Sequence, residues 1–277
     1  MKVKLFSYSQ LDTFVHRLSG LTKLLCFLFL TTAVMMTYDL RVIACILVLS
    51  YVLMLISKIK FSQIKVMLIY VLIFLATNFV LTFLFDPGYG PRIYGTSHVL
   101  FSFGGPYAVT QEQLYYQCTK FTKYLSVIPL GMIFILTTNP SEFASSLNGI
   151  GVSYKVCTSL SLTLRYFPDV SRDYNAISIA QQARGLDLSH KAKMMDRLKG
   201  MTAILMPLIF STLDRINVIT NAMDLRGFGK SKKRTWYSAR KLTVSDYASM
   251  LVCLAVLLFS LYMRYYVNHS MFYNPFI

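Results

Sequence analysis

The 277-residue sequence predicts an all-α, polytopic integral membrane protein: about five transmembrane helices plus long amphipathic helices on the cytoplasmic side. Three observations predict it. Charged residues make up 14% of the chain, against about a quarter in ordinary soluble domains. Apolar runs of near-spanning length recur, and the basic residues collect on one side of them.

The first apolar run lies within Leu21–Thr37, and the second spans Leu40–Ile56. The third is Val66–Phe85, the fourth Tyr124–Thr138 and the fifth Tyr247–Met263. A helix needs roughly 20 apolar residues to cross the hydrocarbon core, so the shorter runs must extend into polar flanks. The first twenty residues lack the apolar core and small-residue cleavage site of a signal peptide, so the first run is expected to be retained. The spans are expected to carry no buried Asp, Glu or Lys of the kind that marks an ion path.

Charge sets the expected orientation. Ser57–Lys65 and the stretch from Lys155 to Lys241 are basic, whereas Asp86–Gln117 holds one arginine, Arg92, beside Asp86 and Glu112. Lys and Arg gather in cytoplasmic loops. The N-terminus, with Lys2, Lys4, Arg17 and Lys23, is therefore expected in the cytoplasm and loop 86–117 outside. That loop, rich in Gly, Pro and aromatics, reads as irregular or partly hairpin. The net charge of +16 is topological, and no nucleic acid is needed to explain it. Five cysteines and four histidines are scattered without a paired spacing, which argues against a disulfide framework or a metal site.

Three regions follow: 1–140 with four spans, 141–241 as a polar, basic helical module, and 242–277 with the last span and an external tail. In the middle region "NPSEFASSLNGIG" reads as a short helix with Ser141 as N-cap. The segment Ser159–Arg184 is helical in pattern, with Pro168 expected to bend or restart it. Val170, Tyr174, Ile177 and Ala180 then make one apolar stripe. A second helix, Met206–Arg226, repeats the scheme with Ile209, Leu213, Ile216, Ile219 and Met223. Met194, Met195, Met201 and Met206 are placed between the two helices, where flexible thioethers suit a surface that re-packs. The following "GFGKSKKRTWYSARK" is expected among anionic headgroups, with Trp236 and Tyr237 at the interface.

Both helices end in the same pair. Ala183, Arg184 and Gly185 close the first, and Leu225, Arg226 and Gly227 close the second, the arginines lying 42 residues apart. One such pair is an ordinary C-cap, where glycine supplies φ > 0 and the cation complements the helix dipole. Two at the ends of two similar helices point to a pair of plugs for a pair of sockets. A guanidinium at a tip offers a planar fork of donors to a carboxylate on another protein.

Catalytic signatures are missing. "GFGKS" ends like a phosphate-binding loop, but Asp224 stands where the first glycine is needed and no apolar strand leads in. Asp169 and Asp173 could hold a metal or diphosphate, yet Arg165 and Arg172 favour a self-paired helix face.

The segments "SLTLRYFPDVSRDYNAISIAQQARGLD" and "MPLIFSTLDRINVITNAMDLRGFGKSKKRTWY" resemble the two signature segments of the transmembrane (T) components of energy-coupling factor (ECF) transporters, the EcfT/CbiQ-like family. "LTTNPSEFASSLNGIGVS" is similar to the family segment just before the first signature, and "HRLSGLTKLL" to its N-terminal Asp-Pro-Arg-x-Lys-Leu stretch. Two departures stand out. Ser19-Gly20-Leu21 precede Thr22-Lys23 in place of Asp-Pro-Arg, and Leu225 replaces the usual alanine. The resemblance implies a non-catalytic coupling subunit of an ABC-type importer in a bacterial or archaeal cell membrane. Ala183, Arg184, Gly185, Leu225, Arg226 and Gly227 would dock two ATPases, which bind ATP and Mg; this chain needs no cofactor. Tyr174, Ile177, Leu213 and Ile216 would pass motion by packing to a separate substrate-binding membrane (S) subunit, for uptake of a vitamin or a transition-metal ion. The alternatives are a stand-alone permease and a membrane enzyme.

Overall fold

Apolar runs in this chain fold into long helices because a helix satisfies its own backbone polar groups where water cannot. A computed structural model describes residues 13–59, 61–102, 108–186, 194–231, 235–236, 240 and 242–276. It divides into two units, Met1–Asn139 with Arg240–Ile277, and Pro140–Ala239.

The first unit contains α1 (Phe14–Arg17), α2 (Gly20–Met36), α3 (Leu40–Ile56), α4 (Phe61–Phe85) and α5 (Tyr89–Tyr94). A two-stranded antiparallel hairpin follows, β1 (Val99–Ser102) and β2 (Ala108–Thr110), and then α6 (Gln111–Thr137). The last helix of this unit is α10 (Val244–Tyr262), continued by a π-helical turn over Met263–Val267. Helix α2 packs against α10 and α6, and α3 against α6. Leu30, Ala33, Val34, Val42, Ile46, Leu130 and Cys253 form the core between them. Small residues let these helices approach closely. Ala33 is fully buried, and Ser260 on α10 donates to its carbonyl at 3.0 Å.

Two buried lysines fix the register of α2 against α6. Lys23, near the start of α2, donates to the carbonyls of Thr137 (2.8 Å) and His16 (3.3 Å). Lys123, in α6, donates to Met35 (3.0 Å) and Thr37 (3.4 Å) at the far end of α2. Each antiparallel helix thus carries the cation that meets the other's C-terminal carbonyls, where the helix dipole is negative. Asp246 does the equivalent for α10. One oxygen accepts from the Ser19 amide (2.8 Å), and the other from the Thr243 amide and hydroxyl (2.8 and 2.7 Å), so a single carboxylate caps α10 and ties it to the start of α2.

At the opposite end α5 and the strands β1 and β2 form a cap. Glu112, fully buried, accepts from the His98 amide and meets its imidazole Nδ1 at 2.7 Å. The C-terminal tail returns over this cap. Asn274 donates to Tyr94 O, Phe272 and Phe276 pack against Tyr94, and Tyr38 N donates to Met271 O. Asp39 is buried below, held by Arg41 (2.9 Å) and Asn268 (3.0 Å).

The second unit contains α7 (Pro140–Gly149), α8 (Tyr154–Ala183) and α9 (Met194–Leu225). Helix α7 starts at Pro140, which suits a first helical position, and Ser141 falls inside the helix and does not cap it. Pro168 does not interrupt α8, and α9 begins twelve residues before Met206 and continues through Pro207. An interior proline costs a hydrogen bond and strains one turn, and helices of 30 and 32 residues absorb that without breaking.

One expectation about the membrane is corrected. Lys65–Phe85, Gln111–Thr137, Gly200–Leu225 and Val244–Val267 are long and apolar enough to cross a bilayer, while Gly20–Met36 and Leu40–Ile56 are shorter. The sequence reads Met206–Arg226 as an amphipathic helix along the cytoplasmic side, and the helix that contains it is also apolar enough over Gly200–Leu225 to cross. Its apolar surface is wider, because Phe210 and Val218 lie outside the stripe of Ile209, Leu213 and Ile216 and are exposed too. The spans were expected to lack buried ionisable groups. Extending α6 back to Gln111 brings Glu112, Lys120 and Lys123 into its helix. Capping work accounts for Lys123, whose ammonium faces carbonyls and the Tyr38 ring at 3.6 Å.

Two outcomes follow. Replacing Lys123 with Met should lower stability by roughly 1–3 kcal/mol, the cost of orphaned buried carbonyls, seen as an earlier melt in detergent, with Lys123→Arg milder. Burial pushes the Asp39 carboxyl up, but hydrogen bonds from the Arg41 side chain, Asn268 and the Arg41 amide outweigh it and hold it below the usual carboxylate range. Its stabilisation is therefore full above the unfolded value of about 4 and is lost as pH falls through the lower folded value. Asp39→Asn should melt earlier at neutral pH and lose less stability than wild type on acidification below about pH 4.

Candidate functional site

The two Arg-Gly pairs have the same backbone geometry. Arg184 caps α8 with φ −84° and ψ 8°, and Gly185 follows with φ +90°. Leu186 N donates to Gln181 O (3.1 Å) and Gly185 N to Gln182 O (3.0 Å). After α9, Phe228 N donates to Met223 O (2.9 Å) and Gly227 N to Asp224 O (2.9 Å), with Gly227 at φ +67°. Both are Schellman caps, with arginine as the C-cap and glycine in the left-handed position. A Cβ at Gly185 would meet nothing within 4 Å, so backbone conformation, not space, selects glycine there.

Ala183, Arg184 and Gly185 are exposed, and so are Leu225 and Arg226, while Gly227 is half-buried. Leu225 is 90% exposed, which places its side chain on the outside of the tip. Among the described residues the Arg184 guanidinium has no partner. Arg226 lines a cleft of about 320 Å³ with Tyr154, Met223, Phe228 and Trp236.

Helices α8 and α9 run antiparallel. Tyr154 at the start of α8 accepts from Gly229 N (3.1 Å), Asp173 meets Arg215 (2.7 Å), and Gln181 donates to Ala203 O (3.3 Å). The second tip therefore sits beside the start of α8 and the first tip at its end. At 1.5 Å per residue, the 30 residues of α8 separate them by about 45 Å.

Sequence reasoning did not find what braces the second tip. The Tyr154 ring packs on Phe228 (5.2 Å between centroids), and Trp236 Nε1 donates to Asn148 at the end of α7 (3.0 Å). Phe228 followed by Gly229 was the available signal. Trp236 is thus hydrogen-bonded within this unit; Tyr237 lies outside the described residues, as do Asp187 and much of the basic run. The Asp169/Asp173 pair is taken up by cations, Arg172 at 3.1 Å from Asp169 and Arg215 from α9 on Asp173. The expected self-pairing on one helix is in part a clamp between two.

The stripe residues stay open. Tyr174, Leu213 and Ile216 are about half exposed, and Ile177 is half-buried. Ile216 lines a second cleft, about 550 Å³, between α8 and α9 with Tyr166, Val170 and Ile219. Met201 and Met206 lie exposed on α9 itself, not between helices, and the side chains of Met194 and Met195 lie outside the described residues.

Residues 12–237 match the family model described as CbiQ, cobalt transport protein. The chain belongs to this family. It is also similar to the energy-coupling factor transporter transmembrane protein EcfT of Exiguobacterium sibiricum, 29% identical over 174 residues, covering 60% of this chain and 65% of that protein. EcfT of Leuconostoc gelidum is 30% identical over 166 residues, 57% of this chain and 58% of that one. A Bifidobacterium longum protein named as an ABC transporter ATP-binding protein is 28% identical over 150 residues, 51% of this chain and 19% of its own length. The chain spans less than two thirds of the length of each of these relatives. Family membership and the apolar helices make this a multi-pass membrane protein of a transport family.

If Tyr154 braces the second tip of this CbiQ-family chain, Tyr154→Phe should speed amide exchange at Gly229 and Lys230 by about fivefold, the loss of about 1 kcal/mol of local protection. Leu186 at the first tip should exchange at the wild-type rate.

Proposed function

We propose that this chain is the transmembrane coupling subunit of an ECF-type ABC importer. The observation that carries the proposal is the pair of identically capped arginine tips at opposite ends of one antiparallel helix pair. A spacing of about 45 Å suits one socket on each of two similar ATPases. The similarity to EcfT proteins supports the reading. So does the Bifidobacterium longum relative, where a stretch like this one occupies part of a protein named for ATP binding.

In this reading ATP and Mg bind the two partner ATPases, and Ala183, Arg184, Gly185, Leu225, Arg226 and Gly227 dock into them. Closure of the ATPases moves the sockets and with them the two helix tips. The half-exposed faces around Tyr174, Ile177, Leu213 and Ile216 pack against a separate S subunit and tilt it. That subunit would select the cargo, a vitamin or a transition-metal ion; cobalt is the ion the family is named for. The N-terminus lies in the cytoplasm, in a bacterial or archaeal cell membrane.

Co-purification in mild detergent with the ATPases of the same cell tests the docking. Wild type should retain two ATPase subunits, and Arg184→Glu and Arg226→Glu should each lose at least about tenfold in retention, since a charge-assisted contact becomes a repulsive one. Undiminished ATPase recovery with the double variant would reduce both pairs to plain helix caps.

A further inference from the structure

Helix α4 is largely open, with 6% of Lys65–Phe85 buried; it packs mainly on α6, and Met67, Leu68 and Val71 meet the cluster that holds Met54 and Met132. Between α4 and α6 lies a cleft of about 160 Å³ whose walls include Leu75, Phe79 and Phe121 and whose polar groups are Asn78, Gln117 and Lys120. Those polar groups are mismatched. Lys120 donates to Asn78 Oδ1 at 2.6 Å and faces the Tyr116 ring at 5.7 Å, and among the described residues no carboxylate pairs with it. Gln117 is 7% exposed, and its amide nitrogen meets no acceptor. An ammonium carries three donors and a primary amide two, so beyond the Lys120–Asn78 contact the cleft presents spare donors and a positive charge. A buried donor left unpaired, as in Gln117, is costly.

Depth identifies what could receive them. Lys120 lies 17 residues before Thr137 in α6, about 26 Å along the helix axis. With the Thr137 end at one face of a hydrocarbon core about 30 Å thick, the Lys120 backbone lies about 4 Å inside the other face, and its long side chain, leaning toward the helix N-terminus, extends to the headgroup region. There the cleft opens beside the lipid-exposed surface of α4, where Leu72, Phe79 and Val80 are exposed. The cleft, about 160 Å³, has room for a phosphoryl group, and acyl chains would continue along that apolar surface.

We propose that Lys120 and Gln117 bind the phosphodiester of an anionic phospholipid in the leaflet on the side of α5 and the β1–β2 pair, with its chains laid along α4. The site is separate from the arginine tips and does not rest on the docking reading. A zwitterionic headgroup fits less well, because its own cation competes for the phosphate and repels Lys120.

The test is native mass spectrometry of the full chain in detergent, titrated with dioleoyl phosphatidylglycerol or dioleoyl phosphatidylcholine. Wild type should retain one phosphatidylglycerol at collision energies that strip phosphatidylcholine. Lys120→Met should bind the anionic lipid about fivefold more weakly, the effect of one lysine near an anionic surface, and Gln117→Leu should also weaken it. Lys120→Arg should keep it, and Lys155→Met, in the other unit, should not change it. Equal retention of the two lipids by wild type would overturn the proposal, and this comparison needs no variant. Undiminished binding by Lys120→Met, an equal loss in Lys155→Met, or displacement of the lipid by millimolar inorganic phosphate would overturn it too.

Discussion

Two lysines that never meet hold the membrane unit in register. Lys23 and Lys123 sit on antiparallel helices; Lys23 donates to Thr137 O at the C-terminus of α6, and Lys123 to Met35 O and Thr37 O at the C-terminus of α2. An ammonium inside a bilayer is expensive, and so is a row of unpaired carbonyls. Placing one against the other offsets both costs, and a slip of a turn would break the contacts of Lys23 with Thr137 and of Lys123 with Met35 and Thr37. The rest of the unit builds on this pair. Asp246 hangs α10 from the first turn of α2, α3 packs along α6, and the tail closes over Tyr38, the ring that covers Lys123.

The second unit follows different physics. Helix α8 buries only Tyr154, Cys157 and Ser178 along its 30 residues, and its link to α9 rests on polar contacts such as Arg215 with Asp173. Both helices leave wide apolar faces open. Such a hairpin is stiff along each helix and weakly committed between them. The Schellman caps at the two ends are rigid, and the second is braced further by Tyr154 and Trp236. Rigid ends on a pair with an adaptable middle suit an element that receives force at its tips and passes it on through its faces, which is the role proposed for it.

How much of this was legible in the residues differs from element to element. Apolar length placed α2, α3, α4 and α10 within a few residues, because a span in hydrocarbon has one solution, the helix. The Arg-Gly pairs declared themselves as tips, since glycine after a helical pattern carries its own conformational reason. The start of α6 was missed by thirteen residues because Glu112, Lys120 and Lys123 look like loop residues until their partners, His98, Asn78 and the end of α2, are known. Those partners lie 14 to 88 positions away, and no local pattern encodes them.

The sequence by itself determined the helices, their apolar faces and the two capped arginines, because periodicity and capping act within a few residues. Only the tertiary structure decided that α8 and α9 run antiparallel and send their tips to opposite ends, and that Arg215 shares the aspartates of α8. It alone showed that two buried lysines cap each other's helices. Those outcomes depend on pairing charges and donors across long stretches of chain, and which pairs form is settled only when the helices pack.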